Sequence, residues 1–339
     1  MAGKELSKIR AGMGDVEAPA VEAWRDEDYA RATGLTAILS PDGVAADRAA
    51  VPALAPAALR DCQRTMLRIR AVDERVRARA ERAEDGGDPV PSARGCEAAI
   101  VGAVAALEPD DVVVPGRREA VAALWRGHTV AALAAGDPIP HALGVLPGSP
   151  HAATQLPHAT GIAWAMKMEA RAQGKAQEAI GGASKVALAF LDREGTSAED
   201  FHAGLNFAGV FRVPAVFVCI NGGPGPAAPS SLETVSQTLA IKALAYGFAG
   251  VRVDGGDLLA VFAAVREAAA RARRGGGATM IEAVVSELRE PELRAPAAAG
   301  DPLDRFGRWL ASEKIVDAAA AGALAREVDA EVDAAFGKR

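Results

Sequence analysis

The sequence predicts an α/β protein in which a doubly wound parallel sheet carries helices on both faces. Between residues 185 and 285, apolar runs of strand length alternate with helical runs, the β-α-β-α pattern of parallel sheets. Half of the 339 residues are hydrophobic yet only 4% are aromatic, so small side chains dominate the core and let helices lie close on a sheet.

Residues 1–55 mix Ala, Gly, Pro and charge without a sustained period, and read as an extended or partly disordered N-terminal arm. Residues 56–339 read as one domain. From Ala57 to Glu84, Leu59, Cys62, Met66, Ile69, Val72 and Val76 fall at helical steps, with arginines on the other face. A break at 86–89 follows, then a helix over Cys96–Leu107, a buried strand at Val112–Val114 and a helix over Arg118–Ala135. Pro138–Pro157 is a long loop rich in Pro, Gly and His, a length often tied to function. The alternation then runs helix 157–172, strand 185–191, helix 198–211, strand 215–220, helix 231–246, strand 250–253, helix 257–274 and strand 279–285. Two helices, about 302–312 and 316–336, close the chain.

The net charge of −6, with no basic stripe, argues against nucleic acid. Three widely spaced cysteines without a C-x-x-C pair argue against a disulfide framework and suit a reducing cytoplasm. No apolar run reaches membrane-span length and the first residues show no secretory pattern, so a cytoplasmic, non-membrane protein is expected. His128, His141, His151 and His158 crowd one segment at spacings that fit no metal-binding helix pair.

Several segments occur in a telling order: Met66–Glu74, Gly95–Ala98, Arg118-Glu119 with Leu124–Gly127, Ala153–Lys167, Thr196-Ser197, Asp200–Ala208 and Val251–Asp257. Together they resemble the alpha subunit of the decarboxylating first component of 2-oxo acid dehydrogenase complexes, branched-chain type. The resemblance runs from about Leu59 to Leu310. It implies a thiamine-diphosphate-binding fold, with oxidative decarboxylation and acyl transfer to a lipoyl arm as the activity. It also implies thiamine diphosphate and magnesium as cofactors, and a beta-type subunit, a lipoyl acyltransferase and a second alpha chain as partners. Cofactor contacts would then fall on Arg118, Asp192, Arg193, Glu194, Gly195, Thr196, Asn221 and Gly222. A monovalent-cation loop would fall on Ser149, Thr154 and Gln155.

Set against that family, the chain departs at the metal. Anchoring on Asp200, Phe201 and His202 puts Arg193 where the family has its ligand aspartate, and Gly222 where it has its ligand asparagine. A one-residue slip would make Asp192 and Asn221 the ligands instead, and Arg193 could alternatively meet an anion directly. A unit charge pair at 4 Å is worth about 4 kcal/mol at an effective dielectric near 20, and a divalent ion doubles it, so an arginine there opposes magnesium. No histidine follows His202, so the family's loop histidine is absent and no catalytic residue is assigned. Two expectations stand side by side: a working decarboxylase subunit, or a non-catalytic scaffold that pairs with a beta-type subunit.

Overall fold

A computed structural model describes residues 25–82, 92–149, 151–174, 185–222, 233–286 and 300–337. At its centre is a five-stranded, all-parallel sheet in the order β1-β2-β3-β5-β4. The strands are β1 (Val112–Val114), β2 (Ala187–Asp192), β3 (Ala215–Asn221), β4 (Ala249–Asp254) and β5 (Thr279–Val284). The central ones are buried on both faces, which is why they read as continuous apolar runs rather than alternating ones.

Period-two alternation divides their side chains between two cores. Leu188, Phe190, Val216, Val218 and Ile220 pack on one face against α2 (Pro56–Arg82), α3 (Glu97–Ala105) and α8 (Leu258–Arg273). Ala189, Leu191, Phe217 and Cys219 pack on the other against α5 (Gln155–Ala172), α6 (Glu199–Val210) and α7 (Lys242–Ala245). The loop leaving β3 leads to α7 on this second face, whereas the neighbouring strand β5 is followed by α9 (Pro302–Ser312) on the first. The topological switch therefore lies between β3 and β5, and ligands of open α/β sheets bind at such a crevice. α10 (Ala318–Phe336) lies along α2.

Within the expected arm, residues 25–55 close a sheet edge. α1 (Asp26–Thr33) lies on β4, and Thr36 exchanges backbone hydrogen bonds with Arg252 and Asp254. The buried Asp257 carboxylate accepts from the Ile38 and Leu39 amides at 2.7 and 2.6 Å while capping α8. Covering β4 in this way removes an exposed edge.

The helix expected over Arg118–Ala135 is instead a 3₁₀ turn, Arg118–Leu124, followed by α4 (Val130–Ala135). Gly127 breaks it at φ +99°, and Thr129 starts α4 by accepting from the Ala132 amide. Of the helix expected over 231–246, the described residues form only α7. The Leu239 and Ala240 amides there donate to Glu282 rather than to a preceding turn. Residues 1–24 of the expected arm lie outside the described residues, as do 223–232 and 287–299.

Candidate cofactor-edge site

The candidate residues gather at the carboxyl ends of β1, β2 and β3. β2 ends at Asp192, and the chain turns at once through a 3₁₀ segment, Glu194–Ser197, into α6. Arg118, at the start of the 3₁₀ turn after β1, places Nη1 2.9 Å from Asp192 Oδ1. Arg193 turns away from both. Its Nη2 donates to Glu233 Oε1 at 2.9 Å and its Nη1 lies 2.7 Å from Glu233 Oε2, a close ion pair, and the guanidinium side chain is only 6% exposed. Thr196 fixes the turn by donating from Oγ1 to the Arg193 carbonyl at 2.8 Å, and Lys242 Nζ donates to the Thr196 carbonyl at 3.3 Å. Gly195 is buried and Glu194 exposed.

Asn221 ends β3 with Nδ2 donating to Glu282 Oε1 at 2.8 Å. The other oxygen of that buried carboxylate accepts from Leu239 and Ala240, and Arg252 Nε stands 3.5 Å from Oε1, the oxygen that Asn221 meets. Gly222 follows, half-buried and without a side chain.

The alternative ligand pair, Asp192 and Asn221, is not brought together. Asp192 pairs in register with Ile220, which belongs to the first core, while Asn221 follows the pleat of Cys219 in the second. Adjacent positions on a strand point to opposite faces, so the two side chains leave the sheet on opposite sides. The monovalent-cation residues do not converge through shared contacts either. The Ser149 hydroxyl donates to the His151 carbonyl, the Thr154 carbonyl meets His158 Nδ1 at 2.9 Å, and Gln155 Nε2 donates to the Phe190 carbonyl at 2.7 Å. Among the described residues no three His, Cys, Asp or Glu side chains come together as a metal site.

Magnesium requires a near-octahedral shell of oxygens. At this edge Asp192 is paired with an arginine, Arg193 brings a buried positive charge, and Gly222 has nothing to offer. Burial raises the Asp192 pKa, with Arg118 pulling it down and Glu194 pushing it up. A carboxyl so placed holds its proton more readily and is a poorer ligand. The described residues do not fit a magnesium ion held between them.

Sequence reasoning missed Glu119, Glu233 and Glu282. Glu119 is fully buried, and no side chain among the described residues hydrogen-bonds its carboxylate, which has only the backbone of Gly116 and of Glu119 itself beside it. Burial, and then the charge of Asp192, push its pKa up to about 8 against the pull of Arg118. Glu282 was detectable as a lone carboxylate inside an apolar strand run. Glu233 carries no local signal. Cys96 lies beneath this cluster, its thiol pushed up to about 12 by burial, and is inert rather than nucleophilic. His202 Nδ1 is 2.5 Å from the Tyr246 hydroxyl on the outer side of α6.

A family description, Dehydrogenase E1 component, matches residues 64–339, which covers the whole sheet and its edge site. The chain belongs to this family. The E1 dehydrogenase family uses thiamine diphosphate, and its alpha subunits pair with beta subunits. This E1 chain is 32% identical over 245 residues to "2-oxoisovalerate dehydrogenase subunit alpha 1, mitochondrial" of Arabidopsis thaliana, covering 64% of the chain and 49% of the relative. It is 31% identical over 293 residues to "Pyruvate dehydrogenase E1 component subunit alpha" of Staphylococcus aureus (strain Mu50 / ATCC 700699), covering 80% of the chain and 75% of the relative. The subunit of the same name in Bacillus subtilis (strain 168) is 30% identical over 298 residues, with the same two coverages. The E1 chain thus spans about half the length of the plant relative and three quarters of the bacterial ones. None of its described helices is long and apolar enough to cross a membrane.

Proposed function

We propose that this E1 chain is an alpha-type subunit that pairs with a beta-type subunit in a cytoplasmic 2-oxo acid dehydrogenase assembly, and that it acts there as a scaffold. It would not itself anchor magnesium thiamine diphosphate. The observation that carries this reading is the Arg193–Glu233 ion pair, which fills the family's ligand position with a buried, neutralised guanidinium. The Arg118–Asp192 pair supports it from the other face of the sheet. In such an assembly the chain would contribute its surfaces, including contact with a second alpha chain, and chemistry would reside with other subunits.

A second reading keeps the chain catalytic, with decarboxylation of a branched-chain 2-oxo acid and delivery to a lipoyl acyltransferase. The 2-oxoisovalerate relative favours it. Calorimetric titration of thiamine diphosphate into the chain mixed with its beta-type partner, with and without magnesium, separates the two. The scaffold reading expects no magnesium-dependent binding heat. Micromolar binding that requires magnesium refutes it and restores the catalytic reading.

A further inference from the structure

We propose that the cavity at the carboxyl ends of β4 and β5 binds a small, neutral, polyhydroxylated molecule, a polyol or a sugar. On the sheet it lies on the opposite side of β3 from the Arg118–Asp192 edge, so it is separate from the site described above. Its volume is about 260 Å³, below the range of drug-sized sites and suited to a small metabolite. Asp254 at the end of β4, Ser286 two residues past β5, and Arg305 of α9 form its polar wall. Ligands of open α/β sheets are met at this end of the strands.

The wall's chemistry selects the ligand. Arg305 is buried, its Nη1 donates to Asp254 Oδ2 at 2.8 Å, and its Nη2 donates to the Leu39 carbonyl. The cation and anion of the wall thus neutralise each other, and an ion entering beside them is attracted by one and repelled by the other. Both keep hydrogen-bonding capacity. A carboxylate has about four acceptor positions, of which Arg305 and the Gly256 amide, 2.9 Å from Oδ1, take two. Arg305 Nη1 carries two N–H groups, and Asp254 takes one. These groups converge where Gly256 has no side chain. A methyl on its Cα would lie 3.3 Å from Asp254 Oδ1, 3.6 Å from Arg305 Nη1 and 3.9 Å from the Gly300 carbonyl oxygen. An atom at that point faces two acceptors and one donor, so it must donate and accept at once. A hydroxyl does both, whereas an ammonium cannot accept and a carboxylate cannot donate. Ser286 offers a further donor and acceptor for a second hydroxyl, and Pro41 and Pro302 supply apolar wall for the carbon chain.

Saturation-transfer NMR on the full chain tests this with glycerol, ribose and glucose, and with L-valine and inorganic phosphate as charged comparators. At least one of the three polyols is expected to bind with a Kd of about 0.1–10 mM. Gly256→Ala fills the hydroxyl position and should weaken that polyol at least about tenfold, with the melting transition kept. Ser286→Ala, at an exposed position, should weaken it about two- to tenfold. If Gly256→Ala loses the melting transition, Ser286→Ala decides alone. Failure of all three polyols to bind at up to about 50 mM overturns the proposal. So does a polyol bound as tightly by the folded variants as by the parent, which marks an adventitious contact elsewhere. Valine or phosphate bound by the parent and lost in Gly256→Ala, with no polyol bound, overturns the ligand class.

Discussion

Removing the carboxylate of Glu233 is the most direct probe of the edge site. Glu233→Gln leaves the Arg193 guanidinium, 6% exposed, without its charged partner. Stripping one member from a buried ion pair costs about 3–5 kcal/mol, because the remaining charge stays desolvated. Glu194 Oε1 is 3.8 Å from Arg193, but its side chain is 58% exposed, so it recovers no more than about 1 kcal/mol. The net loss is then about 2–4 kcal/mol. For a chain of 339 residues it lowers the melting temperature by roughly 3–6 °C. Urea denaturation of the parent, Glu233→Gln, Arg193→Met and the Arg193→Met/Glu233→Leu pair completes the test. The double substitution replaces the ion pair by apolar volume and is expected within about 1 kcal/mol of the parent. If Glu233→Gln is within about 0.5 kcal/mol of the parent, Arg193 is not committed to Glu233, and the case against a metal at this edge fails with it.

The Glu119 carboxyl, pushed up to about 8 from an ordinary 4.5, keeps a proton that the unfolded chain releases. Its contribution to stability is complete below about pH 4.5 and is lost as pH climbs through about 8. Glu119→Gln is expected to flatten that decline by on the order of 4 kcal/mol, read from urea midpoints across the range, and an unchanged slope refutes it. Gly209→Ala would place a Cβ 1.8 Å from the Tyr246 carbonyl oxygen, a backbone clash that forces α6 off α7. It should cost about 1–3 kcal/mol by thermal melting. Gly161→Ala, which meets open space, should instead stabilise by about 0.5–1 kcal/mol, and equal effects at the two glycines would sink the packing argument.

The strands were legible in the sequence because a strand buried on both faces must be apolar throughout, as Ala187–Leu191 and Ala215–Ile220 are. Helix ends were legible where a cap is local, as at Asp257 and Asp301, whose carboxylates accept from amides two and three residues on. The span from Arg118 to Ala135 misled because its helical spacing continues past Gly127, while the chain there takes a positive φ that ends the turn. The replacement of the ligand positions by Arg193 and Gly222 could also be read along the chain, since it needs only a fixed offset from Asp200–His202.

What the sequence determined by itself was therefore the sheet strands, the family and the identity of the residues at the edge, all properties of short segments. Tertiary structure decided what those residues do. Arg193 finds Glu233 forty residues away, Asn221 finds Glu282 sixty-one residues away, and Asp192 takes Arg118 on the opposite face of the sheet. Strand register and pleat set those partnerships, and both are fixed only when separate strands pair, so no local pattern encodes them.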